Sequence, residues 1–289
     1  MSTLTFLQLD VFPASRGGGN PLGVVHGANA WDTETMQRFA AFTNLVETTY
    51  LLPPRVPEAS YRLRIFTPKR EIAFAGHPSI GSAHAALELG LVHENAMLAQ
   101  DCDAGVLPLR VEGRGAERRI FVQAPRARVL RRGIDAEPGL AALLRGLPLG
   151  PLPPAFVEGG RRWWVAEVAD AQALRGWHPD HAAIAALAHA SDSLGLALFA
   201  RCAGADHDLV VRAFPAGVGI AEDPASGAAN GLIAAYLAEE GTAARRRFRV
   251  SQGREIGHDA AIELHIADDD EVWVGGRSET IIRGELYWS

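Results

Sequence analysis

Glu47 is the one charge in Asn44-Leu45-Val46-Glu47-Thr48-Thr49-Tyr50-Leu51-Leu52, an otherwise apolar and hydroxylic run. Alternation along a strand puts it on the face shared by Thr49 and Leu51. A carboxylate buried there has a raised pKa and can accept and return a proton near neutral pH, as a general base must. The plainer reading is an exposed glutamate on an edge strand, and spacing alone leaves both open.

Helix N-termini present unpaired N–H groups and the positive end of the helix dipole, so they bind anions. Two helical patterns here begin near glycine. One follows Gly76-His77-Pro78-Ser79-Ile80-Gly81, the other Asp223-Pro224-Ala225-Ser226-Gly227-Ala228. Glycine lets a ligand approach the backbone closely. Two such starts facing one cleft could hold a substrate carboxylate. The plainer reading makes Asp223 an ordinary N-cap and Pro78 a residue that suits any first turn.

Other signals are weaker. Gly17-Gly18-Gly19 follows a strand, as in a dinucleotide fingerprint, but a second strand and not a helix comes next. His178 and His181 stand three apart, with no third ligand at metal spacing. Cys102 and Cys202 form no Cys-x-x-Cys pair and read as buried thiols. Arg131-Arg132 and Arg245-Arg246-Arg247 read as solvated faces.

Composition narrows the chemistry further. The 289 residues carry 28 Lys+Arg against 34 Asp+Glu, a net charge of -6, with Lys69 the one lysine. It has no glycine run before it, so there is no phosphate-binding P-loop. It is also the one candidate for a pyridoxal Schiff base. The acidic balance argues against a nucleic-acid partner. A hydrophobic content of 48% suffices for a core, but no apolar run reaches the ~18 residues of a membrane span. The start, Met1 to Phe6, lacks the basic and apolar regions of a signal peptide. The expected setting is cytoplasmic.

The elements that must position these residues follow from pattern. Strands are expected at Leu4 to Phe12, Pro21 to His26, Val46 to Leu52 and Tyr61 to Phe66, and at 106–112, 119–123, 162–168 and 194–200. Asp32 caps a helix with Met36, Phe39, Ala40 and Thr43 on one face, closed by Asn44. Ile80, Ala83, His84 and Leu87 form the stripe of a second helix, ended by Gly90. An alanine-rich helix is expected at 179–189. The proline-rich stretch 148–154 reads as a linker, with helix-like sequence before it at 136–145.

An internal repeat organises the whole. Tyr61 to Phe66 and Asp208 to Phe214 are strands ending in Phe, each followed within twelve residues by a proline and a helix. Aligning Pro78 with Pro224 sets His77 opposite Asp223, with Ile72-Ala73 and Ile220-Ala221 two residues out of step. Repetition at this spacing implies two related halves and not a solenoid. The expected division is 1–128 and 129–277, with the last strand, about 278–289, placed to complete the first half.

Gly19-Asn20-Pro21, Asn44-Leu45-Val46-Glu47-Thr48-Thr49, Phe66-Thr67-Pro68, Phe74-Ala75-Gly76-His77-Pro78 and Glu222-Asp223-Pro224-Ala225-Ser226-Gly227 together resemble the PhzF family of phenazine-biosynthesis isomerases. The matches run in the family's order from about residue 4 to the C-terminus. The resemblance implies an α+β, diaminopimelate epimerase-like fold: two pseudo-symmetric halves, each a curled sheet around a central helix, with the active site between them. It also implies isomerisation by proton transfer with no cofactor. The family's catalytic glutamate falls on Glu47, its histidine on His77 and its aspartate on Asp223, while Asn20 matches an asparagine near the substrate. Where phenazine-making members carry a serine, this chain has Ala228, so that hydroxyl is missing. Related racemases use paired cysteines at the two helix starts, and neither start contains one here.

The expected protein is therefore an isomerase acting on a small carboxylate-bearing substrate. Glu47, His77 and Asp223 form its catalytic set; Asn20, Gly76, Gly227 and Ala228 bind the substrate. No metal, nucleic acid or membrane is called for, and a homodimer is the family-based expectation. The alternative is a non-catalytic small-molecule or protein-binding member of the same fold, kept open by Ala228.

Overall fold

A computed structural model describes residues 4–93, 97–203, 206–243 and 246–288. Arg245 and Met1 to Thr3 lie outside the described residues. In chain order the strands are β1 (Leu4–Val11), β2 (Asn20–His26), β3 (Glu47–Leu52), β4 (Tyr61–Phe66), β5 (Glu71–Ile72), β6 (Met97–Cys102), β7 (Gly105–Glu112), β8 (Arg119–Gln123), β9 (Arg128–Arg132), β10 (Ala155–Gly159), β11 (Arg161–Val168), β12 (Gly195–Arg201), β13 (Leu209–Phe214), β14 (Arg247–Gln252), β15 (Ala260–Ile266), β16 (Val272–Gly276) and β17 (Ser278–Leu286). The helices are α1 (Thr33–Thr43), α2 (Gly76–Glu88), α3 (Leu140–Leu143), α4 (Ala171–Gly176), α5 (His181–Ala190) and α6 (Gly227–Glu239).

The chain divides into two compact units, 1–123 with 275–289, and 124–274. In the first, strands pair in the order β17-β1-β2-β3-β4-β6-β7-β8. The pairings read antiparallel, antiparallel, parallel, antiparallel, parallel, antiparallel, antiparallel. The second unit's order, β9-β10-β11-β12-β13-β14-β15, repeats the first six of those directions. Parallel neighbours need a crossover, and helices supply it at matched places. α1 joins β2 to β3 and α2 joins β4 to β6, while α4 and α5 join β11 to β12 and α6 joins β13 to β14.

Each sheet has two covered faces. On one face of the first lies α1, capped by Asp32 onto the Thr35 N–H at 2.8 Å and closed by Asn44 in the left-handed region at φ 52°. Its buried Met36, Phe39 and Ala40 pack with Val25, Tyr50 and Phe66. In the second unit the matching face carries Phe156, Trp164, Leu196, Leu198 and Phe214 against Leu140, Leu174 and Ile184 of α3, α4 and α5. Each large side chain so buried is worth about 1.5–3 kcal/mol.

The opposite face wraps a central helix. α2 touches β1, β2, β3, β4, β8 and β17, and α6 touches β9, β10, β11, β12 and β15. Neither central helix has an exposed stripe: α2 buries every residue from His77 to Ala83, and α6 buries Ala229 to Ala234.

The repeat is real, but its register differs from the alignment of prolines. Both central helices have 13 residues and start at Gly76 and Gly227, so Pro78 lies inside its helix and Pro224 lies in the loop before. The better marker is a side-chain clamp. Arg64 grips Glu71 with two hydrogen bonds of 2.7 Å, and Arg212 grips Glu222 with bonds of 2.9 and 2.8 Å. Glu71 and Glu222 each stand five residues before their helix start. Ile65 pairs with Ile72 as Ala213 pairs with Asp223. Asp223 therefore stands opposite Ile72, and His77 opposite Ala228.

The stretch 148–154 is no free linker. Leu149 bridges Val168, the Gly150 N–H donates to the Glu167 carbonyl at 2.8 Å, and the Leu152 N–H donates to the Glu167 carboxylate. The stretch docks along β11 inside the second unit. Arg132 likewise is not simply solvated, since it pairs with Glu239 and Glu240, and Arg131 pairs with Glu137. Among the described residues no helix is long and apolar enough to cross a membrane.

Gly19 shows how tightly the turn into β2 is built. A Cβ there would collide with the Val11 carbonyl and the Asp10 carboxylate, and backbone cannot swing aside. Gly19→Ala is expected to lower unfolding stability by about 1–3 kcal/mol, read by urea denaturation. An unchanged midpoint would show that the turn relaxes.

Candidate active site

Glu47 opens β3, an interior strand. It lies in register with Leu22 of β2, and the next residue, Thr48, pairs with Phe66 of β4. The edge-strand reading therefore falls. Glu47 retains only 9% exposure. Beside it Thr49 bonds Ser82 of α2 at 2.8 Å and the Gly23 carbonyl at 3.2 Å, which locks β3 against the central helix.

His77 is the second residue of α2 and is buried. Its Nε2 lies 3.1 Å from Glu47 Oε2. The two atoms face each other off the axis of an ideal hydrogen bond. Burial pushes the His77 pKa from 6.5 down to about 3. A carboxylate neighbour favours a charged ring, but loss of water outweighs it here, so the imidazole is neutral.

Asn20, fully buried, starts β2 opposite Val11. The glycine turn before it is pinned by Asp10, whose Oδ2 accepts the Gly17 N–H at 2.6 Å, and Gly17 sits at φ +81°. This turn docks Asn20 and is no dinucleotide loop.

No side chain caps α2. The first-turn N–H groups at Gly76 and His77 thus have no side-chain acceptor at the cap, the arrangement that suits an anion. Ser79 Oγ instead donates to the Ala75 carbonyl at 2.9 Å and accepts from Gln100 Nε2 at 3.0 Å.

In the second unit Asp223 is not the N-cap of α6. Ser226 takes that role, accepting the Ala229 N–H at 3.3 Å. Asp223 Oδ1 accepts the Ala225 N–H at 3.1 Å. Its backbone is held twice, by its own N–H to the Ala213 carbonyl at 2.9 Å and by Gln252 Nε2 onto its carbonyl at 2.7 Å. Gln252 Oε1 also accepts from Ser226 N and Asn230 Nδ2. Gly227 and Ala228 follow on the first turn, with Ala228 exposed. Glu47, His77, Asn20 and Gly76 thus share the first unit, and Asp223, Gly227 and Ala228 the second.

Gln100, Gln252, Arg212 and Glu222 escaped the sequence reading as supports of the site. The one available signal was the repeated Arg-x-Phe followed by a lone Glu. Cys102 is buried, its thiol donating to the Gly105 carbonyl, and burial raises the Cys202 pKa, away from an activated thiol. Lys69 lies exposed in the turn between Thr67 and Arg70. Among the described residues no cluster of His, Cys, Asp or Glu could hold a metal ion, and His181 packs edge-on against Phe214.

The two α+β halves, each built on one central helix, point to the fold class. A PhzF-family protein from Bacillus anthracis superposes with a TM-score of 0.83 at 22% identity, covering 99% of this chain and 100% of that one. A probable proline racemase from Agrobacterium radiobacter does so at 0.63 and 16%, covering 99% and 93%. The fold is the α+β, diaminopimelate epimerase-like one. The chain belongs to the family described as phenazine biosynthesis-like protein, whose model matches residues 9–284, and it is an enzyme of the isomerase class. Antisense-enhancing sequence 1 of Schizosaccharomyces pombe is 31% identical over 99% of this chain and 100% of its own length. The trans-2,3-dihydro-3-hydroxyanthranilate isomerase of Pseudomonas chlororaphis is 31% identical over 97% of this chain and 98% of its own.

Neutral His77 has a measurable consequence. Between pH 6.5 and about 3 the unfolded chain binds a proton at His77 that the folded chain does not, so stability rises with pH across that window and is lost as pH falls through it. The limit is about 1.4 kcal/mol per pH unit for one proton. His77→Gln is expected to flatten the dependence of unfolding free energy on pH between 4.5 and 6.5, measured by urea titration. Coincident slopes for variant and wild type would mean that His77 is not held neutral.

Proposed function

We propose that this enzyme is a cofactor-independent isomerase that moves a proton on a small carboxylate-bearing substrate, with Glu47 as the base that removes and returns it. The observation that carries this reading is the buried Glu47–His77 contact of 3.1 Å. A neutral imidazole can offer its N–H to the glutamate or to the substrate without placing a second charge in the site. That suits proton transfer in both directions. The uncapped start of α2 at Gly76 supports binding of the carboxylate. Asn20 in the first unit and Asp223, Gly227 and Ala228 in the second take substrate-facing roles in this proposal, Asp223 orienting the substrate or relaying protons. Such acid–base catalysis supplies about 10²–10⁴-fold, with fixed dipoles adding more.

The relatives suggest the first compound to try, trans-2,3-dihydro-3-hydroxyanthranilate, which a Pseudomonas chlororaphis relative is named for isomerising. The missing hydroxyl at Ala228 makes a wider panel of cyclic and amino-substituted carboxylates necessary, screened by thermal shift. Turnover in deuterium oxide is expected to place solvent deuterium in the product. Glu47→Gln should cut that incorporation by at least about 10²-fold, and undiminished exchange would remove Glu47 from the role. Stabilisation by a carboxylate with no exchange at any pH would mark that compound as a ligand and not the substrate.

A further inference from the structure

We propose that Arg212 and Glu222 are a positioning pair that sets Asp223, resting on the reading above that Asp223 faces the substrate. The pair is the more buried of the two repeated clamps. Arg212 and Glu222 side chains are each 4% exposed, against 13% and 23% for Arg64 and Glu71. Burying charges is unfavourable unless each donor and acceptor is satisfied, and here the arginine is used on every edge. Nε and one terminal nitrogen take both carboxylate oxygens of Glu222, and Nη1 donates to the carbonyls of Leu174 and Trp177 at 3.2 and 2.5 Å. The guanidinium also lies 5.1–5.2 Å above a phenylalanine ring in both clamps, Phe66 and Phe214.

Such a planar, bidentate grip fixes direction as well as distance. Its end point is the residue directly before Asp223. The chain from Phe214 to Glu222 is eight residues, three longer than from Phe66 to Glu71, and includes a one-turn helix at Ala216–Val218. The loop is held up to Ile220, by the Gly217 N–H on the Leu194 carbonyl at 2.9 Å and the Ile220 N–H on the Pro215 carbonyl at 3.4 Å, and Glu222 lies two residues beyond. The side-chain grip fixes Glu222 itself, and the Asp223 N–H bond to Ala213 and the Gln252 bond to its carbonyl complete the alignment. In the first unit the residue after the clamped glutamate is Ile72, so the same device there presents no acid.

The test compares full-length wild type, Glu222→Gln and the milder Arg212→Lys. NMR amide exchange at Asp223 is expected to speed up at least tenfold in both variants, with α6 and β13 core amides unchanged. Unchanged protection at Asp223 in folded Glu222→Gln overturns the proposal, with or without a known substrate. Kinetics provide the second arm, as deuterium incorporation into trans-2,3-dihydro-3-hydroxyanthranilate. Glu222→Gln is expected to lower kcat by about 10–100-fold, as small misplacements of reacting groups do, and to add nothing to the loss already caused by Asp223→Asn. Full additivity in the double variant would mean that the clamp acts elsewhere. A fully active Asp223→Asn would sink the reading of Asp223 itself; an inactive one beside a fully active Glu222→Gln would sink the clamp alone.

Discussion

A helix buried on nearly every side is the constraint from which the rest of this structure follows. α2 and α6 have no solvent face, so they must be narrow and built of small residues. At Gly81 a Cβ would press on Leu22 and Val11. The same burial governs the polar groups in the N-terminal half of each helix. Ser79 is matched to Gln100, Ser82 to Thr49 and Asn230 to Gln252, because an unmatched polar group so deep is strongly destabilising. His77 lies in the first turn of α2, and its loss of charge is a direct product of the packing. The chemistry of the site is thus set by the geometry of the scaffold around it.

Position along the strand matters as much as burial. Glu47 is the first residue of β3, where a strand flanked on both sides still ends at the sheet's rim. A carboxylate in the middle of such a strand would be sealed from any substrate, and one on an edge would be fully hydrated. The first residue of an interior strand lies between these extremes. Thr48 and Thr49, next along β3, are fully buried and use hydroxyls to reach neighbouring elements.

Much of this was legible in the sequence because it rests on local physics. Asp32 and Asn44 delimit α1 through capping and a left-handed turn, and Met36, Phe39 and Ala40 mark its buried face by helical period alone. Glu47 stood out because a lone charge in an apolar strand is rare. The repeat was visible too, yet anchored on the wrong residues. Proline marks the neighbourhood of a helix start and is tolerated at several positions around it. Pro78 and Pro224 therefore occupy different ones. The clamp that defines the register joins Arg64 to Glu71 and Arg212 to Glu222 across unequal gaps, and no fixed spacing reveals it. The stretch 148–154 misled for a related reason: proline and glycine content reports backbone preference and carries no information about what packs against it, here Glu167.

Once the halves are aligned by their clamps, the candidate reagents do not coincide. The acid of one half stands where the other has Ile72, and the imidazole of one stands where the other has Ala228. The likeness of the two backbones is therefore not a likeness of side-chain chemistry. Two copies of the first half would duplicate Glu47 and His77 and lack Asp223; two copies of the second would have the aspartate and neither of the others. Each half thus keeps side chains that its twin lacks, although the first six strand pairings of the two run in the same directions.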